Sequence, residues 1–175
     1  MSYFNKSTQN KSKTLWVFIG LFLLAFAIRF PFFFRDYIDK DESTFILMGQ
    51  AWAEGSLPYL KLWDLKPPIT FAYFAGIISV FGKSLWWIRF GGVLLVSTTA
   101  ILVYLLTKSL GKNHPLATLT ALGTLFFSSL FGSVQGVMSE HIAMPFYMAG
   151  LLLWCYANKA LTYKKWGQYA LGGFL

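Results

Sequence analysis

The chain has 175 residues, of which 56% are hydrophobic, 19% aromatic and only 13% charged, and its formal net charge is +8. Soluble chains average about 25% charged residues, and a sphere of this size cannot bury that much apolar surface behind a polar exterior. The composition therefore excludes a soluble domain, a disordered chain, a collagen, a coiled coil and a disulfide-stapled scaffold, the last also because Cys155 has no second cysteine to pair with.

Residues 1–14 form a polar tail with Lys6, Lys11 and Lys13 and no acid. The run 15–34 carries an apolar stretch to Ile28, then Arg29, then Phe30-Pro31-Phe32-Phe33-Phe34. As a helix it is about 30 Å long, enough to cross a bilayer. Ala25-Phe26-Ala27 fits a signal-peptidase pattern, but the apolar aromatic stretch beyond it reads as an uncleaved anchor. Residues 35–66 then change character and hold most of the acids, within an outer loop expected over 35–84. Inside this loop Phe45, Met48 and Trp52 recur at helical spacing, which predicts a short amphipathic helix over 42–54 lying on the membrane surface. Asp39 with Glu42 three residues later resembles a capping box, and Glu54-Gly55 followed by Pro58 closes the helix.

Pro67-Pro68 opens a second apolar helix over 68–82, about 22 Å long. That is short for a bilayer core of about 30 Å and predicts an interfacial helix rather than a span. Further spans are expected at 85–108, 115–134 and 142–158, with another beginning near 167. Trp86 and Trp87 stand at the head of the span at 85–108 as interfacial belt residues, with Arg89 beside them. Because the sequence stops inside the last apolar segment, the chain reads as the N-terminal portion of a longer protein.

Charge sets the expected topology. If 68–82 does not cross, Lys6, Lys11, Lys13, Lys108, Lys112, Lys159, Lys164 and Lys165 all face the cytoplasm. All 7 acids then face outward. Basic residues retained on the inside favour this arrangement over one in which 68–82 crosses. The same partition accounts for the basic balance without nucleic acid, which is not expected as a partner.

Chemistry is expected on the outer face. The first outer loop carries Asp36, Asp39, Asp41, Glu42 and Lys66; the second is short and carries Glu140-His141. Carboxylates at a membrane surface serve as a general base or hold a divalent cation, with Asp39, Asp41 and Glu140 the candidates for a metal. A lysine beside them holds a phosphate. Arg29 snorkels from the end of its span, within reach of a donor phosphate. His114 is expected on the opposite, cytoplasmic side in a structural role.

Asp41-Glu42 after the first span, Lys66-Pro67-Pro68 some 25 residues later, an arginine-led span, and Ser139-Glu140-His141 opening a later one form a pattern. It resembles the membrane glycosyltransferases of the GT-C type, in particular the family-39 group of protein O-mannosyltransferases, aminoarabinose transferases and Rgt-like enzymes. The resemblance covers about residues 15–165. It implies Asp41 as catalytic base, Lys66 as the contact to the donor phosphate, and Glu140 as the acid completing the site, with Glu42 and His141 beside them. It also implies a polyprenyl-phosphate sugar donor and inversion at the sugar. In aminoarabinose transferases a glutamate that ligates metal directly precedes the lysine; here Leu65 stands there and Asp64 lies one residue earlier.

The expectation is thus an all-α, polytopic membrane enzyme with interfacial helices in its first outer loop. It would reside in the plasma (inner) membrane and work on the extracytoplasmic face. It would transfer a sugar from a polyprenyl-phosphate donor to a lipid, glycan or protein acceptor, with a divalent cation an open question. The rival from another class is a polytopic transporter or flippase, which places ionisable residues at the midplane in repeated, broken helices. The acids here sit at span ends and no internal repeat is present. A membrane scaffold without chemistry is the third reading.

Overall fold

The computed structural model describes residues 2–160, with side chains described over 13–157. Six α-helices follow one another among the described residues: α1 (Ser2–Arg29), α2 (Lys40–Ala53), α3 (Pro68–Phe81), α4 (Leu85–Ser109), α5 (His114–Phe127) and α6 (Ser139–Ala160). Short 3-10 turns occupy Phe30–Phe34 and Gly132–Gln135. No strand occurs among the described residues, in keeping with the all-α expectation. The start of a span near 167, with Lys164 and Lys165, lies outside the described residues.

Local chemistry explains the boundaries. Pro31 cannot donate to a helical carbonyl, and α1 gives way there to the 3-10 turn. The helix also begins at Ser2, inside the segment expected as a polar tail. Asp39 caps α2, its side chain accepting from the Asp41 amide at 2.8 Å. Pro68 occupies the first turn of α3, where a missing amide hydrogen costs nothing, and Asn113 caps α5 through the Leu116 amide at 3.0 Å.

Helix α4 is the centre of the bundle. Its Val93, Val96, Ala100 and Tyr104 pack with Leu21 and Ala25 of α1 and with Ala117, Ala121 and Leu125 of α5 in one buried cluster. A second cluster joins Phe45 and Met48 of α2, Phe71, Phe74 and Ile78 of α3, Ile88 of α4, and Val137 and Ile142 ahead of and within α6. Helices α2 and α3 lie so close that a Cβ on Gly49 would stand 2.4 Å from the Phe74 Cβ. Phe45 meets Phe71 and Phe74, while Glu54 at the far end reaches Lys83 at 2.6 Å. The two helices therefore run parallel, and the segment 54–67 must return along the length of the pair.

Two segments among the described residues, Lys13–Phe34 and Leu85–Ser109, are long and apolar enough to cross a membrane. Helix α3 has 14 residues, about 21 Å, as short as expected for 68–82. Helix α5 differs from expectation. A span was expected over 115–134, but the helix stops at Phe127 and the chain continues as a turn and a 3-10 segment. The reason lies in Arg29.

Candidate functional site

Arg29 ends α1 with its side chain only 1% exposed. A buried guanidinium is costly unless its donors are met. Nη1 donates to the carbonyls of Ser128 at 3.2 Å and Val134 at 2.9 Å. Nη2 donates to those of Gln135 at 3.2 Å and Gly136 at 2.7 Å. A continuous helix would have spent several of these carbonyls on its own amides. The chain from Ser128 to Gly136 instead folds around the guanidinium, which is why the expected span is cut short. Arg29 neither snorkels nor points at a donor phosphate: its fork is occupied by backbone.

Arg89 lies four residues into α4 and is equally buried. It donates through Nη1 to the carbonyls of Phe32 and Arg35 and through Nη2 to Glu42 Oε2 at 3.3 Å. The other Glu42 oxygen accepts from the Val137 amide at 2.9 Å. Glu42 is thus no capping-box partner of Asp39. It is a buried clip between α2, α4 and the segment leading into α6. Gly136 lets it fit, because a Cβ there would stand 2.9–3.1 Å from the three carboxyl atoms. Sequence reasoning took Arg89 only as a charge at a span head and missed this role. The signal available was an arginine inside a long apolar helix, which is expensive unless paired.

The clip has a geometric consequence. Asp41 adjoins Glu42 on α2, and Glu140 follows Val137 by three residues, so the Glu42–Val137 bond brings the heads of α2 and α6 to one end of the fold. At that end Lys66 Nζ meets Glu140 Oε1 at 3.2 Å, with side chains 34% and 66% exposed. The lysine is set in place by its backbone: its amide donates to Asp64 Oδ1 at 2.9 Å and its carbonyl accepts from the Tyr59 hydroxyl at 2.6 Å. Burial raises the affinity of Glu140 for a proton. Its backbone hydrogen bond, Lys66 and the Ser139 hydroxyl outweigh that and hold its carboxyl below the usual glutamate range.

Asp41 is half-buried, and among the described residues no hydrogen bond or ion pair engages its carboxylate. Asp39, by contrast, is spent on its cap. His141 is buried, with Nδ1 accepting from the Met138 amide and Nε2 facing the Ser128 carbonyl, both at 3.0 Å. That pattern fixes a neutral ring with its hydrogen on Nε2. Burial, and then the charge of Arg29, push its pKa down to about 4. The ring supports the loop that holds Arg29, and neither nitrogen is free for a substrate. His114 lies at the opposite end of α4, against the Tyr104 hydroxyl at 2.6 Å.

The metal candidates do not converge. Among the described residues no three His, Cys, Asp or Glu side chains gather so as to hold an ion. Asp39 caps a helix, Glu140 is paired with Lys66, and Leu65 offers no ligand beside the lysine. An apolar hollow of about 390 Å³ lies between α3, α4 and α6, lined by Tyr73, Ile77, Phe81, Trp87, Phe90 and Leu94 among others.

The sequence model of the family described as dolichyl-phosphate-mannose-protein mannosyltransferase matches residues 47–175. The match begins past Asp41 and Glu42 and takes in Lys66, Arg89, Glu140 and His141. No curated protein matches the chain, and no solved structure does.

Proposed function

The chain belongs to the dolichyl-phosphate-mannose-protein mannosyltransferase family of GT-C type membrane glycosyltransferases, and on that premise we propose that it transfers a sugar from a polyprenyl-phosphate donor to a hydroxyl acceptor at the extracytoplasmic face. The observation that carries the reading is the Glu42–Val137 hydrogen bond. It joins the unengaged Asp41 carboxylate and the Lys66–Glu140 pair to one end of the bundle. An acceptor hydroxyl entering there loses its proton to Asp41 as its oxygen attacks the sugar C1. The bond from C1 to the phosphate oxygen breaks, and the polyprenyl phosphate leaves with the added charge. The Lys66 ammonium offsets that charge, an interaction that grows through the transition state. Attack opposite the departing phosphate inverts the sugar configuration.

The apolar hollow beside Trp87 and Phe90 suits an isoprenoid chain, having hydrocarbon walls and almost no polar lining. The family description names a dolichyl-phosphate-mannose donor and a protein acceptor. Mannose and a protein hydroxyl are accordingly the first substrates to try. A multi-pass topology in the plasma membrane, with spans at 15–34, 85–108 and 142–158 and a further crossing that is α-helical only over His114–Phe127, takes its orientation from the lysine and acid partition. Beyond Phe127 the chain leaves the α-helix and is exposed at Phe131, Gly132 and Ser133, so the crossing begun by α5 ends in a segment that there faces away from the bundle core.

The test is direct. The purified full chain, in lipid, is incubated with radiolabelled polyprenyl-phosphate sugars and an acceptor peptide. Transfer of label to the acceptor supports the enzyme. Uptake of the lipid-linked sugar into vesicles without transfer supports a flippase instead.

A further inference from the structure

Because α2 and α3 run parallel, the chain between them is a strap that travels back along the pair. It is not a loose connection. Tyr59 lies within it at φ 68, a left-handed conformation that is unfavourable for a non-glycine residue and persists only where the surroundings enforce it. They do so here: the Tyr59 ring packs edge-on against Phe71 at 5.7 Å, and its hydroxyl binds the Lys66 carbonyl at 2.6 Å. Asp64 accepts from the Lys66 amide and closes the far end.

This braced strap turns its apolar side chains outward. Leu57, Leu60, Leu62, Trp63 and Leu65 are 41% to 85% exposed. Five large apolar side chains on nine consecutive positions exceed the scattered exposure of ordinary surfaces. A flexible loop would turn such residues inward, and the Tyr59 and Asp64 bonds prevent it. Lys61 stands exposed among them and Lys66 at their end, cations suited to lipid phosphates. Trp63 has the apolar body and single polar tip that favour the headgroup boundary.

We propose that the strap 57–65 is a membrane-seated element: the bilayer is its partner, and it lies in the headgroup and upper acyl region of the leaflet next to the Lys66–Glu140 pair. Leu62, Trp63 and Leu65 enter the hydrocarbon margin while Lys61 reaches the phosphates. Seating the strap fixes the height of Lys66, which the strap itself holds through Tyr59 and Asp64. The lysine ammonium is thereby kept at the level where lipid phosphates lie. This inference needs only a membrane protein and stands apart from the catalytic roles of Asp41 and Lys66, so sugar transfer can fail while the strap is still found in lipid.

The experiment uses the full chain in nanodiscs of phosphatidylcholine and phosphatidylglycerol, in a Cys155→Ser background. Single cysteines replacing Leu62, Leu65 and, as a reference, Lys83 carry an environment-sensitive fluorophore. Strap positions are expected to emit to the blue of Lys83 and to lose emission when lipids bear a spin label near the headgroup, as for an element about 5 to 10 Å into the interface. Blue emission without quenching would mean that protein covers the strap, and red emission would mean water; either overturns the proposal. Since a bulky label can displace a loop, a second arm leaves the strap unlabelled. Trp63→Phe should remove part of the tryptophan emission that brominated lipids quench. If the quenched share is the same with and without Trp63, the strap is not in lipid.

Discussion

Glu42 and Arg89 form an ion pair at 3.3 Å in which each side chain is only 2% exposed. A pair so dry adds little net stability when intact, but losing one partner strands a buried charge at a cost of about 3 to 5 kcal/mol. Glu42→Ala and Arg89→Met should each lower unfolding stability by about that amount, read as thermal unfolding in lipid or mild detergent. Glu42→Ala also orphans the Val137 amide, adding about 1 to 3 kcal/mol. Loss of less than about 1 kcal/mol in both variants would mean that the pair does not hold the heads of α2 and α6 together.

Lys66 separates stability from function. Its pair with Glu140 is partly exposed, and such pairs contribute about 0 to 1 kcal/mol to folding. Lys66→Met should therefore fold normally. If the ammonium holds the donor phosphate, its loss costs about 1.5 to 3 kcal/mol, or roughly 10- to 150-fold in kcat/KM. Both a higher donor KM and a lower kcat are expected. Unchanged donor kinetics would leave Lys66 as a headgroup anchor.

His141 gives a pH dependence whose sign follows from its burial. Its pKa in the fold, about 4, lies below the ordinary 6.5. The neutral ring's contribution is therefore complete above pH 6.5 and is lost as pH falls from there through about 4. An unfolded chain takes up the proton across that window while the native ring resists it. His141→Gln should be less stable at neutral pH and should show a shallower decline between pH 7 and 4 than the parent chain. Parallel declines would show that His141 does not carry this linkage.

Topology is open to chemical labelling. In a Cys155→Ser background, single cysteines at Asp64 and Ser139 should react with an impermeant thiol reagent added outside intact cells, and one at Asn113 should not. External labelling at Asn113 would mean that 68–82 crosses, which would put the two acidic loops on opposite sides.

Much of the backbone was legible in the sequence, for reasons that are local. Proline at 68, the Asp39 cap and the apolar spacing of Phe45 and Met48 act within a turn of their own positions, and α2 and α3 begin and end close to where these signals stand. The failures are long-range. Arg29 reads as a snorkelling cation because its partners, the carbonyls from Ser128 to Gly136, lie about a hundred residues away. The same hidden contact cut the helix expected over 115–134 at Phe127. Glu42 fits a capping box three residues from Asp39, and nothing nearby shows that Arg89 and the Val137 amide claim it instead. At the site, residue types were legible and their partners were not: Lys66 and Glu140 were singled out separately, and folding made them a pair.

The most direct test of the account is the turnover of Asp41→Asn. Its carboxylate caps nothing, since Asp39 performs that task, and it has no partner among the described residues. Asparagine keeps the shape and removes the basicity. The substitution should leave folding and donor binding nearly unchanged and lower kcat for sugar transfer by about a hundredfold or more, the lower range for a general base. Measured at equal expression with a labelled lipid-phosphate sugar, a kcat retained above about a tenth of the parent value would contradict a base of that size at Asp41.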